Sequence, residues 1–149
     1  MAFPPPWVYV ATAEPLDAEM DARIAKHQIR RGSGWRTIDA PRDLAGALTT
    51  IPAAASSVLV DCLTLWLSNL MLAEENIDSN IENLEAALAG DVLPVVLVTN
   101  EVGFGIVPDN ELARRFRDQH GQLNQRIAAR ADRVVMVVAG LPIAVKGNL

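Results

Sequence analysis

The sequence predicts an α/β protein: a mainly parallel sheet flanked by helices. Three observations carry this. Four short runs, at 8–11, 58–60, Val95–Val98 and Val134–Val138, are apolar and largely β-branched at successive positions, the pattern of parallel strands covered on both pleat faces. Between them lie stretches with apolar residues at helical spacing. Strand and helix signals alternate along the chain, which implies crossover connections rather than hairpins. With 149 residues, half of them apolar, the chain is expected to form one domain, 1–149, with a buried core.

Element by element, residues 8–11 (Val-Tyr-Val-Ala) read as the first strand, and 17–30 as a helix with Met20, Ile24 and His27 at helical spacing. Gly32, Gly34 and Pro41 punctuate a loop after it. Residues 58–60 form a strand that delivers Asp61, followed by a leucine-rich, buried helix over 64–73 and an amphipathic one over Ile77–Leu88. Val95–Val98 runs into a polar loop with Gly103 and Gly105. The helix over 110–131 carries Leu112, Phe116, Leu123 and Ile127 on its apolar side, and Arg114, Arg115, Arg117, Arg126 and Arg130 with Glu111 and Asp118 elsewhere. The simplest reading of those arginines is a solvated face or an interface, with one or two reaching a phosphate. Trp7, Trp35 and Trp66 are assigned to packing.

The net charge of −5 and pI near 4.9 argue against nucleic acid or an anionic membrane as a general partner. The single cysteine, Cys62, excludes an intramolecular disulfide and a cysteine-built zinc site, and favours a reducing compartment. No apolar run approaches the roughly 18 residues of a membrane span. A soluble, cytoplasmic protein is expected.

Asp61 is the first candidate for chemistry. A carboxylate at the carboxyl end of a buried strand lies where open α/β sheets bind ligands, and can organise Mg²⁺. It reads equally well as the N-cap of the helix that follows. Thr99, Asn100 and Glu101 follow the next strand in the same way, so two strand ends point polar groups at one edge, with Gly103 and Gly105 permitting positive φ or a close backbone approach. His27 lies among Arg23, Lys26, Arg30 and Arg31. Neighbouring cations favour a neutral imidazole, a competent nucleophile toward phosphorus; a surface histidine on a basic helix face is the other reading. His120 carries the same ambiguity.

Taken in order, these motifs resemble the bifunctional adenosylcobinamide kinase/adenosylcobinamide-phosphate guanylyltransferase family of cobalamin biosynthesis. The matching stretches are Tyr-Val-Ala-Thr at 9–12, Asp-Ala-Glu-Met at 17–20, Arg-Ile-Ala-Lys-His at 23–27, Trp-Arg-Thr at 35–37, Asp-Cys-Leu-Thr-Leu-Trp at 61–66 with Asn69, and the block from Val98 to Arg126 that opens Val-Thr-Asn-Glu-Val-Gly-Phe-Gly-Ile-Val-Pro. The resemblance implies a RecA-like P-loop NTPase fold, ATP and GTP as substrates, Mg²⁺ as cofactor, an adenosylcobinamide-type corrinoid as acceptor, and a homo-oligomer, a trimer. It implies phosphorylation of the aminopropanol hydroxyl, then GMP transfer from GTP through a GMP–histidine intermediate, with His27 as the nucleophile. Ala11, Thr12, Ala13, Gln28, Ile29, Arg30 and Arg31 match nucleotide-contacting segments. Asp39 matches an acidic position facing the guanine nucleotide, and Asp61 the acidic strand end beside magnesium and phosphates; Asn100, Glu101 and Gly103 shape the pocket.

At the front the pattern departs. Family members open with a strand and a glycine-rich phosphate loop, where this sequence has Met-Ala-Phe-Pro-Pro-Pro. The first strand and P-loop are therefore expected to be absent, and the remaining sheet to re-close, borrow cover from another subunit, or belong to a longer product. Two functional readings stay open: an enzyme of the family in N-terminally truncated form, or a non-catalytic nucleotide- or corrinoid-binding remnant of it.

Overall fold

The computed structural model describes residues 3–14, 25, 26, 29, 31–90 and 93–149. The chain separates into two compact units, Met1–Asn100 and Glu101–Leu149.

In the first unit, β1 (Trp7–Ala11), β2 (Trp35–Asp39), β3 (Ser57–Asp61) and β4 (Val95–Val98) form a parallel sheet in the order β2-β1-β3-β4. The register is unbroken. Trp7 to Ala11 face Trp35 to Asp39 on one side and Ser57 to Asp61 on the other, so β2, β1 and β3 end level at Asp39, Ala11 and Asp61. Beyond β3, Asp61 aligns with Val98 of β4. β3 thus has a hydrogen-bonded neighbour on each side, and among the described residues no strand intervenes between β3 and β4.

Because side chains alternate along a strand, the register sorts the sheet into two faces. Val8, Val10, Val58 and Val60 share one face and are at most 1% exposed. They belong to a core that also takes Leu44 and Leu48 of α1 (Leu44–Thr49), Leu63, Trp66, Leu67 and Leu70 of α2 (Leu63–Leu72), and Ile81 and Leu84 of α3 (Ile77–Leu88). Each such side chain, fully buried, contributes about 1.5–3 kcal/mol. Helix starts are fixed locally: Asp43 accepts from the Gly46 amide at 2.9 Å and Asn76 from the Ser79 amide at 3.0 Å. The tryptophans pack as expected. Trp66 is 1% exposed and its indole N–H donates to the Arg42 carbonyl at 2.6 Å, while the Trp7 and Trp35 rings lie 5.4 Å apart. Gly34 permits the Trp7 contact, since a Cβ there would lie 2.6 Å from the indole ring.

The opposite face carries Tyr9, Leu59 and Asp61, and at the β4 edge Val96 and Val98, which are 57% and 39% exposed. β2 was not among the expected apolar runs. Trp35–Asp39 is an outer strand whose Arg36 and Thr37 are exposed, so no apolar run is required of it.

In the second unit, α4 (Glu111–Arg130) is capped by Asn110, whose side chain accepts from the Ala113 amide at 2.8 Å. Its buried line is His120, Leu123 and Ile127, with Phe116 half-buried one turn before; Leu112, expected on this side, is 55% exposed. The last apolar run also departs from expectation. β5 (Val134–Val138) is no member of the parallel sheet but pairs antiparallel with β6 (Leu141–Lys146), whose six residues are all exposed. Ala139 and Gly140, both at positive φ, make the two-residue turn that matches the twist of a hairpin. Lys146 donates to the carbonyls of Ala128 and Ala129 at 3.1 and 2.9 Å, placing a cation against the carboxyl end of α4.

Candidate functional site

The level strand ends of the first unit gather the candidate site. Asp61 closes β3 as its last residue, and the N-cap of α2 is Cys62, in extended backbone and without a side-chain capping bond. The capping reading of Asp61 is therefore set aside. Its carboxylate is instead held by a residue two positions back on the neighbouring strand: the Tyr9 hydroxyl donates to Asp61 Oδ2 at 2.8 Å. Burial, then that hydrogen bond and the carboxylate charge, push the Tyr9 phenol well above the ordinary tyrosine range. The phenol stays a neutral donor at any physiological pH.

Tyr9 is also the platform for a cation. The Arg31 guanidinium carbon lies 3.6 Å from the Tyr9 ring centroid, and the Trp35 ring meets the same phenol edge-on at 6.3 Å. Arg31 Nη1 is buried with no acceptor in reach among the described residues. A buried guanidinium nitrogen without an acceptor is costly, and a phosphate oxygen is the kind of partner such a donor takes.

Thr12 follows β1 and is fully buried. Its hydroxyl donates to the Cys62 carbonyl and accepts from the Cys62 amide, both at 2.7 Å, while its own amide reaches the Asp61 carbonyl at 3.2 Å. Asn69, inside α2 and 8% exposed, spends both amide hydrogens on strand-end carbonyls, Thr12 at 2.8 Å and Pro41 at 2.9 Å. The ends of β1, β2 and β3 are thereby tied to one helix. Ala11 and Ala13 flank Thr12 and are half-buried.

Asp39 ends β2 exposed, at the rim of an open cleft of about 900 Å³ that Arg42, Asp43, Glu75 and Asn80 also line. Across this cleft Arg42 pairs with Glu75 at 3.4 Å. Asn100, two residues beyond β4, is pinned to the start of α2: its amide donates to the Thr64 hydroxyl at 3.0 Å, and that hydroxyl donates to Asn100 Oδ1 at 2.9 Å. In the second unit Glu101 folds back on its own loop, accepting from the Gly103 amide at 2.8 Å. Gly103 thus serves close approach, since a Cβ there would sit 2.8 Å from the Glu101 carboxylate; neither it nor Gly105 has positive φ.

His27, Gln28 and Arg30 lie outside the described residues, as do Met20, Ile24 and most of the 17–30 helix; Ile29 is described and 83% exposed. His120 is fully buried on α4 beside Phe116, with Nδ1 3.3 Å from the Asn124 amide nitrogen. Burial pushes its pKa down, opposed in part by the Glu101 carboxylate. Arg114 reaches the carbonyls of Pro108 and Asp109 at 3.0 and 2.6 Å, and Arg117 pairs with its neighbour Asp118 at 3.2 Å rather than at helical spacing. Among the described residues no group of three or more His, Cys, Asp or Glu side chains could cage a metal. One strand-end carboxylate is nonetheless the donor set that suits Mg²⁺, which takes one or two carboxylates and completes its shell with water and substrate phosphates.

Sequence reasoning quoted Tyr9 and Asn69 within motifs but gave neither a role. For Tyr9 the missing signal was register: only the alignment of Trp7 with Ser57 puts Tyr9 and Asp61 on the same face of adjacent strands.

A parallel sheet with carboxylates at level strand ends, a cation stacked beside them and helices packed on one face defines an α/β protein of the P-loop NTPase-like kind, with its ligand edge at the strand carboxyl ends. Residues 1–145 match the family model described as cobinamide kinase / cobinamide phosphate guanyltransferase. The chain is 46% identical over 142 residues to the bifunctional adenosylcobalamin biosynthesis protein CobP of Pseudomonas aeruginosa, covering 94% of this chain and 82% of that protein. It is 42% identical over 157 residues to the bifunctional adenosylcobalamin biosynthesis protein CobU of Salmonella typhimurium, with 95% and 87% covered, and 38% identical over 154 residues to the protein of the same name in Escherichia coli, with 93% and 85% covered. The chain belongs to the cobinamide kinase / cobinamide phosphate guanyltransferase family. Among the described residues, no helix is long and apolar enough to cross a membrane.

Proposed function

We propose that this chain acts in cobalamin biosynthesis as an adenosylcobinamide kinase and adenosylcobinamide-phosphate guanylyltransferase. The observation that carries the reading is the shelf at the strand ends, where Asp39, Ala11 and Asp61 stand level on three adjacent strands beside Arg31. Asp39 serves the guanine nucleotide, with residues 11–13 and 28–31 as nucleotide-contacting segments. Asn100 and, in the second unit, Glu101 and Gly103 are assigned pocket-shaping roles rather than the covalent step. In the transfer step an imidazole nitrogen of His27 attacks the α-phosphorus of GTP, a P–N bond forms, and the bond to the pyrophosphate oxygen breaks. An oxygen of the corrinoid phosphate then attacks the same phosphorus, the P–N bond breaks, and the histidine is regenerated. Mg²⁺ held at Asp61 supplies charge neutralisation on the phosphates. The protein works in the cytoplasm as a homo-oligomer, a trimer, which light scattering tests directly.

Incubation with α-phosphate-labelled GTP and Mg²⁺ tests the covalent step. Acid-labile label on the protein that is lost in His27→Ala is the expected outcome. GTP binding without any labelling of the wild-type chain would overturn the enzymatic reading in favour of a nucleotide-binding module.

A further inference from the structure

Tyr9 holds a position that the proposed chemistry does not by itself explain. It is 9% exposed, its hydroxyl is spent on one oxygen of Asp61, and its ring is clasped by Arg31 on a face and Trp35 on an edge. A buried tyrosine needs an acceptor for its hydroxyl, and a backbone carbonyl would serve for packing alone. Here the acceptor is a strand-end carboxylate, a charge-assisted bond of the stronger kind. With Oδ2 taken by the phenol, the carboxylate cannot rotate freely, and the other oxygen is the one left to a ligand. Over the ring of the same phenol, Arg31 keeps a buried Nη1 without an acceptor among the described residues. One phenol therefore connects a strand-end carboxylate to a cation with an unfilled bonding position among the described contacts.

We propose that Tyr9 is a positioning residue: its hydroxyl sets the orientation in which Asp61 meets a phosphate-bound Mg²⁺, and its ring sets the height of Arg31 for the phosphates of the same nucleotide. This rests on the reading of Asp61 as the cation-holding carboxylate. Tyr9 touches neither phosphate nor metal itself. It makes the two contacts cooperate, because moving the ring moves both.

The test is GTP binding by calorimetry across a Mg²⁺ series and in EDTA, on wild type, Tyr9→Phe, Tyr9→Leu and Asp61→Asn. Tyr9→Phe keeps the ring and removes the hydroxyl. It should raise the Mg²⁺ concentration for half-maximal enhancement of GTP binding by about 10- to 100-fold, as loss of a partner that orients a ligating group does, with GTP affinity in EDTA unchanged. A merely structural role would weaken both alike. Tyr9→Leu should lower the EDTA affinity as well, through Arg31. Wild-type Mg²⁺ dependence in Tyr9→Phe, with Asp61→Asn impaired, overturns the role of the hydroxyl while leaving Asp61 in place. Wild-type Mg²⁺ dependence in Asp61→Asn overturns the Asp61 reading and the Tyr9 proposal together. Unchanged EDTA affinity in Tyr9→Leu overturns the link to Arg31. Tyr9 is the sole tyrosine, so replacement by meta-fluorotyrosine gives a second readout on a chain with every other side chain native. Its fluorine resonance should move when Mg²⁺ is added to GTP-saturated protein and stay put in Asp61→Asn; a resonance that ignores Mg²⁺ in the otherwise native chain overturns the proposal.

Discussion

Replacing Thr12 with valine separates a structural role from nucleotide contact at a residue where both are on offer. The change keeps size and β-branching and removes only the hydroxyl. That hydroxyl serves both the N–H and the C=O of Cys62 at 2.7 Å, at a site with no exposure. Its loss leaves the Cys62 amide without a partner, while the Cys62 carbonyl keeps the Trp66 amide at 3.1 Å. One orphaned buried backbone group costs about 1–3 kcal/mol, so a net loss of about 2 kcal/mol is expected. At about 2–4 °C per kcal/mol for a chain of this size, Tm falls by roughly 4–8 °C. Thr12→Ser keeps the hydroxyl and gives up one methyl, so it should cost about 1 kcal/mol. Urea unfolding followed by tryptophan fluorescence, with the slope held common across variants, provides the measurement. A Thr12→Val protein within about 0.5 kcal/mol of wild type, inside the range of surface substitutions, would refute the reasoning.

Two further outcomes follow from the second unit. His120 has a folded-state pKa below its unfolded value, so the unfolded chain binds the extra proton first. Stability is then whole above about pH 6.5 and falls as pH drops below it toward the folded value. Urea midpoints from pH 8 to pH 5 should show a decline that His120→Gln lessens, and parallel curves for the two proteins would contradict the burial argument. Asn110→Ala removes the cap of α4 and should cost about 1 kcal/mol, whereas Asn110→Asp should hold near wild type; equal stability for Asn110→Ala and wild type in thermal melts would count against that cap.

The sheet was legible wherever burial forces the sequence to be apolar. β1 and β3 stand within a residue of the runs that announced them, because a central parallel strand covered by helices has little room for a polar residue; β4 matches its run as well, although it is an outer strand with Val96 and Val98 exposed. β2 escaped for the converse reason. As an outer strand it tolerates Arg36 and Thr37, and Trp-Arg-Thr-Ile-Asp does not read as a run. Val134–Val138 shows the limit of composition: five apolar residues looked like another parallel strand, yet the turn at Ala139 and Gly140 folds them into a hairpin. At the site, Asp61 could be found from sequence because chain order places it after an apolar run. Tyr9 could not, since its partnership needs an alignment of residues 52 apart that no local pattern encodes. His120 was equally hidden: imidazole at a core position of α4 follows from which helical stripe is buried, and Leu112 drew that stripe too far toward the amino end.

The ties made by Asn69 and Thr12 bear on the thermodynamics of ligand capture. Loops at strand ends are where α/β proteins ordinarily hold conformational freedom and lose it when a ligand arrives. Here Thr12, Pro41 and Cys62, each within two residues of a strand end, are fastened to one another and to α2 by hydrogen bonds that form on folding. The ordering entropy of these three positions is thus settled before any nucleotide is present. Their rigidity therefore shows up as affinity, because a nucleotide that meets them has no backbone to order there.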